Sequence, residues 1–129
     1  MHKADLGPLV EAFFCKRLIS QRRASPHTIA SYRDTFRLLL AFAQKQLSRA
    51  PSQLELKDIS PSLVSDFLDH LEATRGNRAR TRNLRLTAVR SFFRFAALEA
   101  PDRGGVIRRV LAQVSQFLTK NEKVKDFWP

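Results

Sequence analysis

Six arginines stand between Arg78 and Arg94, and guanidinium groups gathered in this way suit the recognition of phosphate. The segment reads Asn77-Arg78-Ala-Arg80-Thr81-Arg82-Asn83-Leu84-Arg85-Leu86-Thr87-Ala88-Val89-Arg90-Ser91-Phe92-Phe93-Arg94-Phe95-Ala96. Arginine and asparagine are also the side chains that match guanine and adenine edges in a major groove. At about 100° per residue, Val89, Phe92, Phe93 and Ala96 share one arc of a helix, the stripe that would face a core. Arg78, Arg82 and Arg85 occupy the same arc, nearer the N-terminus. Burying each of those charges unpaired would cost several kcal/mol. The expectation is therefore that this half of the helix overhangs the core and meets anions, helped by the free N–H groups and positive end of the helix. Arg80, Asn83, Thr87, Arg90 and Arg94 fall on a second, outward arc. For Arg90 and Arg94, a solvated face paired with acids of the preceding helix is an equal reading.

Little else in the chain offers covalent chemistry. The histidines are His2, His27 and His70, and none is followed by arginine three residues later. The single tyrosine, Tyr32, lies on an apolar stripe and reads as a packing residue rather than a nucleophile. No Gly-rich phosphate loop, acid pair or metal-ligand spacing is present, so no cofactor and no metal are expected. Cys15 stands alone, which excludes an internal disulfide and a cysteine-based zinc site. Its neighbours Phe13, Phe14 and Leu18 make it a buried small hydrophobe by expectation. Without a run of about 18 apolar residues or a signal-peptide pattern, the expected location is cytoplasmic and nucleoid-associated, with no membrane partner and no small-molecule substrate.

The elements that must position the arginines are legible as helices. A chain of 129 residues suits one domain with a modest core. Its net charge of +11 is unevenly spread. Residues 1–50 carry 9 basic and 3 acidic groups, residues 51–74 carry 1 and 5, and residues 75–109 carry 10 and 2. A basic surplus this large favours a polyanionic partner, and its segregation suggests one face toward phosphate with an acidic element turned away. The first helix spans roughly 6–22, with Leu9, Val10, Phe13 and Phe14 inward. Ser25-Pro26 opens a second helix, 26–47, striped by Ile29, Tyr32, Phe36, Leu39, Leu40 and Ala43. Leu38 and Phe42 lie off that stripe and could form a second apolar surface. Ser60-Pro61 opens a third helix, 61–74, burying Leu63, Val64, Phe67, Leu68 and Leu71, with Asp66, Asp69 and Glu72 on the opposite arc. The arginine helix, 78–98, is the fourth. Val106, Ile107, Val110, Leu111, Val114, Phe117 and Leu118 then mark a short fifth, and 121–129 reads as frayed. Helices apolar on one side need a shared core, so a bundle follows.

Three segments carry a family resemblance. Ser25-x-x-Thr28-x-x-x-Tyr32-Arg33-x-x-x-x-x-Leu39-x-x-Phe42 resembles the second helix of the N-terminal, core-binding (SAM-like) domain of tyrosine recombinases, the phage-type integrases. Asp58-Ile-Ser-x-x-Leu63-Val64-x-x-Phe67-Leu68 resembles the next helix. Thr81-x-x-x-x-Leu86-x-x-Val89-Arg90-x-Phe92-Phe93-x-Phe95 resembles the last. The resemblance covers about residues 8–112. It implies an all-α fold, an orthogonal four-helix bundle of two crossed helical hairpins, here with a short fifth C-terminal helix. It also implies DNA as partner, with the second and fourth helices facing the major groove. Carried over, the contacts are Ser25, His27 and Thr28, with Arg33 and Lys45 as weaker candidates. In the fourth helix they are Arg80, Thr81, Arg82 and Arg85, followed by Arg78, Asn83 and Arg90. His27 is equally an exposed first-turn residue.

The family's catalytic set of Arg, Lys, His-x-x-Arg and nucleophilic Tyr is missing from these residues. The resulting expectation is a core-binding domain over residues 1–112 and a tail of open role over 113–129. It would bind duplex DNA for site-specific recombination in a mobile element, without catalysis of its own. The alternative is a truncated integrase acting as an interaction or regulatory module, through self-association or contact with a full-length recombinase. A helical RNA-binding or transcription-regulatory protein ranks lower, since no close helix-turn-helix pattern is present.

Overall fold

The computed structural model describes residues 5–76, 78–114 and 116. Among them the backbone is helical or turning, with no strand. Helix α1 (Leu6–Ala12) continues directly into a π-helical stretch, Phe13–Gln21. It is followed by α2 (Pro26–Leu47), α3 (Pro61–Arg75), α4 (Ala79–Glu99) and α5 (Gly104–Val114). The two Ser-Pro signals act as read. Ser25 Oγ accepts from the Thr28 N–H at 3.1 Å, and Ser60 Oγ accepts from the Leu63 N–H at 3.1 Å. Each hydroxyl satisfies a first-turn donor that has no partner within the helix. Helix α3 stops at Gly76, whose φ of 63° is the left-handed conformation that closes a helix at least cost in glycine.

The first helix is not wound as its sequence period suggests. Phe13 N–H still bonds to Leu9 O and Val10 O, but the stretch Phe13–Gln21 is wound with five-residue bonds and closes with Arg22 N–H to Arg17 O at 2.8 Å. Phe13 and Leu18 are five residues apart and only 1% and 2% exposed, so the wider turns keep both on the core. The same winding turns Cys15 outward. It is exposed, which corrects the expectation of a buried thiol.

Phe13 is the hub of the aromatic core. Its ring lies 5.7 Å from Phe92, 5.7 Å from Phe95 and 6.0 Å from Phe36. Helix α4 packs against α1 and its π-helical continuation, α2, α3 and α5, and so forms the centre of the bundle. Helix α5 covers α3 and α4 through Ile107, Val110 and Val114. It starts at Gly104, after a 3-10 turn over Pro101–Arg103, rather than at Val106. Phe117, Leu118 and residues 121–129 lie outside the described residues. The second apolar surface expected of α2 is absent. Phe42 is buried against Phe67 and the His70 ring, at 5.8 and 5.1 Å, and Leu38 packs against the core.

Candidate nucleic-acid interface

The central position of α4 decides where its arginines go. Packed from several sides, it buries Asn83, Leu86, Ala88, Val89, Phe92, Phe93, Phe95 and Ala96, a wider arc than one stripe. Asn83 is 2% exposed, so it sits inside rather than on the outward arc. Thr87 is half-buried and donates its hydroxyl to the Asn83 carbonyl at 2.9 Å.

Arg82 and Arg85 do not overhang the bundle. Arg82 reaches Asp69 and Glu72 of α3, both at 3.0 Å, and its side chain is 11% exposed. Arg85 pairs with Asp34 of α2 at 3.1 Å and donates to the Thr35 hydroxyl at 3.0 Å, with its side chain 13% exposed. The cost of burying a lone charge, which argued for projection, is met here by carboxylates from two neighbouring helices. For the same reason α3 is not an acidic element turned away, since Asp69 and Glu72 face Arg82. Asp34 is held below the usual carboxylate value by its hydrogen bond from Arg37, and by Arg85, against a desolvation that pushes upward.

The remaining expected residues are distributed over the surface. Arg78, at the N-terminal boundary of α4, and Arg80 are exposed, and Thr81 is half-buried. Arg90 is half-buried, and burial followed by the charge of Arg94 pulls its pKa down. On α2, Ser25, His27, Arg33 and Lys45 are exposed. The half-buried Thr28 holds Ser25 through a hydroxyl pair at 3.0 Å. Only part of the set is therefore drawn together. Arg85 reaches α2 at Asp34 and Thr35, beside Arg33, whereas Ser25 and His27 lie two to three turns away along α2.

Two basic clefts open where the sequence pointed only to packing. One, of about 340 Å³, is lined by Arg17, Arg22, Ser91, Arg94, Phe95 and Leu98. The other, of about 260 Å³, is lined by Leu18, Arg22, Ala24, Thr28 and Tyr32. The only signal for them was the basic end of the first helix at Arg22-Arg23. Tyr32 is half-buried, its ring stacked on Phe13 at 6.3 Å, as suits a packing tyrosine. Among the described residues no cluster of His, Cys, Asp or Glu could hold a metal ion, and no helix is long and apolar enough to cross a membrane.

A model of the family described as "Phage integrase, N-terminal SAM-like domain" matches residues 12–100. "Putative integrase/recombinase y4rC" of Sinorhizobium fredii (strain NBRC 101917 / NGR234) is 54% identical over 117 residues, covering 91% of this chain and 35% of that protein. "Putative integrase/recombinase y4rD" of the same strain is 44% identical over 125 residues, covering 91% of this chain and 44% of that protein. The chain thus spans less than half the length of either relative. No solved structure matches it. Capped helices, a core centred on α4 and a family match from the π-helical stretch to the end of α4 agree: the chain belongs to the phage integrase N-terminal SAM-like domain family.

Proposed function

We propose that this chain is a duplex-DNA-binding module of a tyrosine recombinase from a mobile element, acting at the nucleoid, and that it grips DNA through α2 and α4 without catalysing strand cleavage. The observation that carries the reading is how the acids are spent. Asp5 is engaged by Arg103, Asp34 by Arg85, Asp58 by Arg49, Asp69 and Glu72 by Arg82, and Glu99 by Lys16. With these carboxylates engaged, the exposed Arg22, Arg33, Arg78, Arg80 and Arg94 pair with no carboxylate among the described residues and can meet an outside anion. The integrase/recombinase names of the relatives support the same reading.

Anisotropy titrations of a labelled duplex test it. Affinity should fall on the order of a hundredfold between about 50 and 200 mM salt if roughly four phosphates are neutralised. A folded chain that binds no duplex at low salt would sink the reading. On a nicked suicide duplex no covalent adduct should form, and an adduct lost in Tyr32→Phe would overturn the non-catalytic part. The exposed Ile19 and Leu98, 50% and 70% accessible, favour a second reading as a helix-docking module that contacts another recombinase chain. That reading takes over if duplex binding is absent.

A further inference from the structure

The larger cleft, between the π-helical stretch and the C-terminal half of α4, has the make-up of an anion site. Arg17, Arg22, Arg94 and Ser91 all line it, and no acidic side chain among the described residues does. Glu99, one turn beyond Phe95, is engaged by Lys16 Nζ at 2.8 and 3.1 Å. Arg17 is the anchored member. Its guanidinium stands 5.5 Å above the centre of the Phe95 ring, which is itself 3% exposed. Its Nε is buried with no hydrogen-bond partner among the described residues. Arg22 and Arg94 are exposed at the rim. Arg22 closes the π-helical stretch through its N–H to Arg17 O, and Arg23 then turns the chain away with a φ of 46°. Such a conformation is costly for a residue with a side chain, and strained backbone of this kind clusters at ligand sites. Three arginines lining one cleft repel one another unless an anion sits among them, and their planar forks match phosphate oxygens.

We propose that this cleft seats one backbone phosphate of a bound duplex, a grip separate from Arg78 and Arg80. Arg94 lies about 21 Å along α4 from Arg80 at the helical rise, so the two ends of the helix hold different phosphates. This rests on the duplex-binding reading above.

The test uses the full chain with labelled arginines, reading the Nε–Hε signals of Arg17 and Arg94 by NMR while inorganic phosphate and a short duplex are added separately. Both additions should shift both signals. Arg22→Ala and Arg94→Ala, each at an exposed position, should each weaken duplex binding several-fold and lower the salt slope by about one. Lys57→Ala, an exposed cation in the connection before α3, should leave the slope unchanged. If the unaltered chain binds duplex steeply while both arginine variants keep its slope, the cleft assignment falls and the duplex reading stands. Duplex binding that moves neither arginine signal also overturns the assignment. Phosphate binding without any duplex binding overturns both.

Discussion

Arg85 is held at the junction of two helices, giving one nitrogen to Asp34 and another to Thr35, whose hydroxyl in turn donates to the Ser31 carbonyl at 3.1 Å. Thr35 is 1% exposed, so this chain of bonds runs through the interior. Arg85→Ala should therefore cost about 1–3 kcal/mol in urea unfolding, because the buried Thr35 hydroxyl loses the donor it accepts from, while Asp34 keeps Arg37. Arg82→Ala should cost less, up to about 1 kcal/mol, because its partners Asp69 and Glu72 remain 66% and 39% exposed and can turn to water. An Arg85→Ala variant as stable as the parent would show that the α2–α4 link is dispensable. Asp34 gives the same site a pH signature. Its native pKa lies below the ordinary 3.8, so its contribution is present above that value and is lost as pH falls through the native pKa. Unfolding followed from about pH 6 down to pH 3 should show an acid-limb slope that Asp34→Asn makes shallower.

At the scale of the element, α2 depends on how it begins. Ser25 is extended, with ψ at 153°, and its Oγ takes the Thr28 N–H while Pro26 occupies the first helical position. Pro26 lacks the N–H that would otherwise be unsatisfied there, so the two residues divide the work of starting the helix. Ser25→Ala should lower stability by about 0.5–2 kcal/mol, and Ser25→Asp should restore most of it in thermal unfolding. A loss with alanine that aspartate does not repair would mean that the Thr28 hydroxyl contact, rather than the cap, matters. Because Ser25 is also an expected DNA contact, Ser25→Asp separates the roles. It keeps the cap but sets a negative charge where phosphate would approach, so duplex affinity should drop while stability returns.

For the molecule as a whole, α5 is a structural member rather than an appendage. Ile107 and Val114 are fully buried and Val110 is 2% exposed, against α3 and α4. Three such side chains contribute about 5–9 kcal/mol at roughly 1.5–3 kcal/mol each. That is comparable with the entire stability of a domain this size, about 5–15 kcal/mol. A chain ended after Arg103 should therefore lose its cooperative unfolding transition, as circular dichroism would record. A sharp transition near the parent midpoint would show that the other helices close the core alone.

Helix positions, caps and the apolar stripe of α4 could be read from the sequence because they follow from local rules: a 3.6-residue period, serine hydroxyls that bind first-turn N–H groups, and proline's missing donor. The family was legible for the same reason, since its three segments are those periods and caps in order. The fate of the individual arginines was not local. Arg82 and Arg85 share an azimuth with the core, and a wheel cannot tell an overhanging cation from one met by acids of other helices. Only the packing of α2 and α3 against α4 brought Asp34, Asp69 and Glu72 within about 3 Å. Asn83 was misplaced because an outward arc stays outward only if a helix is covered on one side, and α4 is covered on several. The cleft of Arg17, Arg22 and Arg94 was invisible in sequence because the π-helical stretch re-phases its side chains, and residues more than 70 positions apart face one another only after the chain folds. Period and capping act between near neighbours, whereas charge pairing and clefts form between distant ones, so tertiary structure alone decided which cations remain free for an anion.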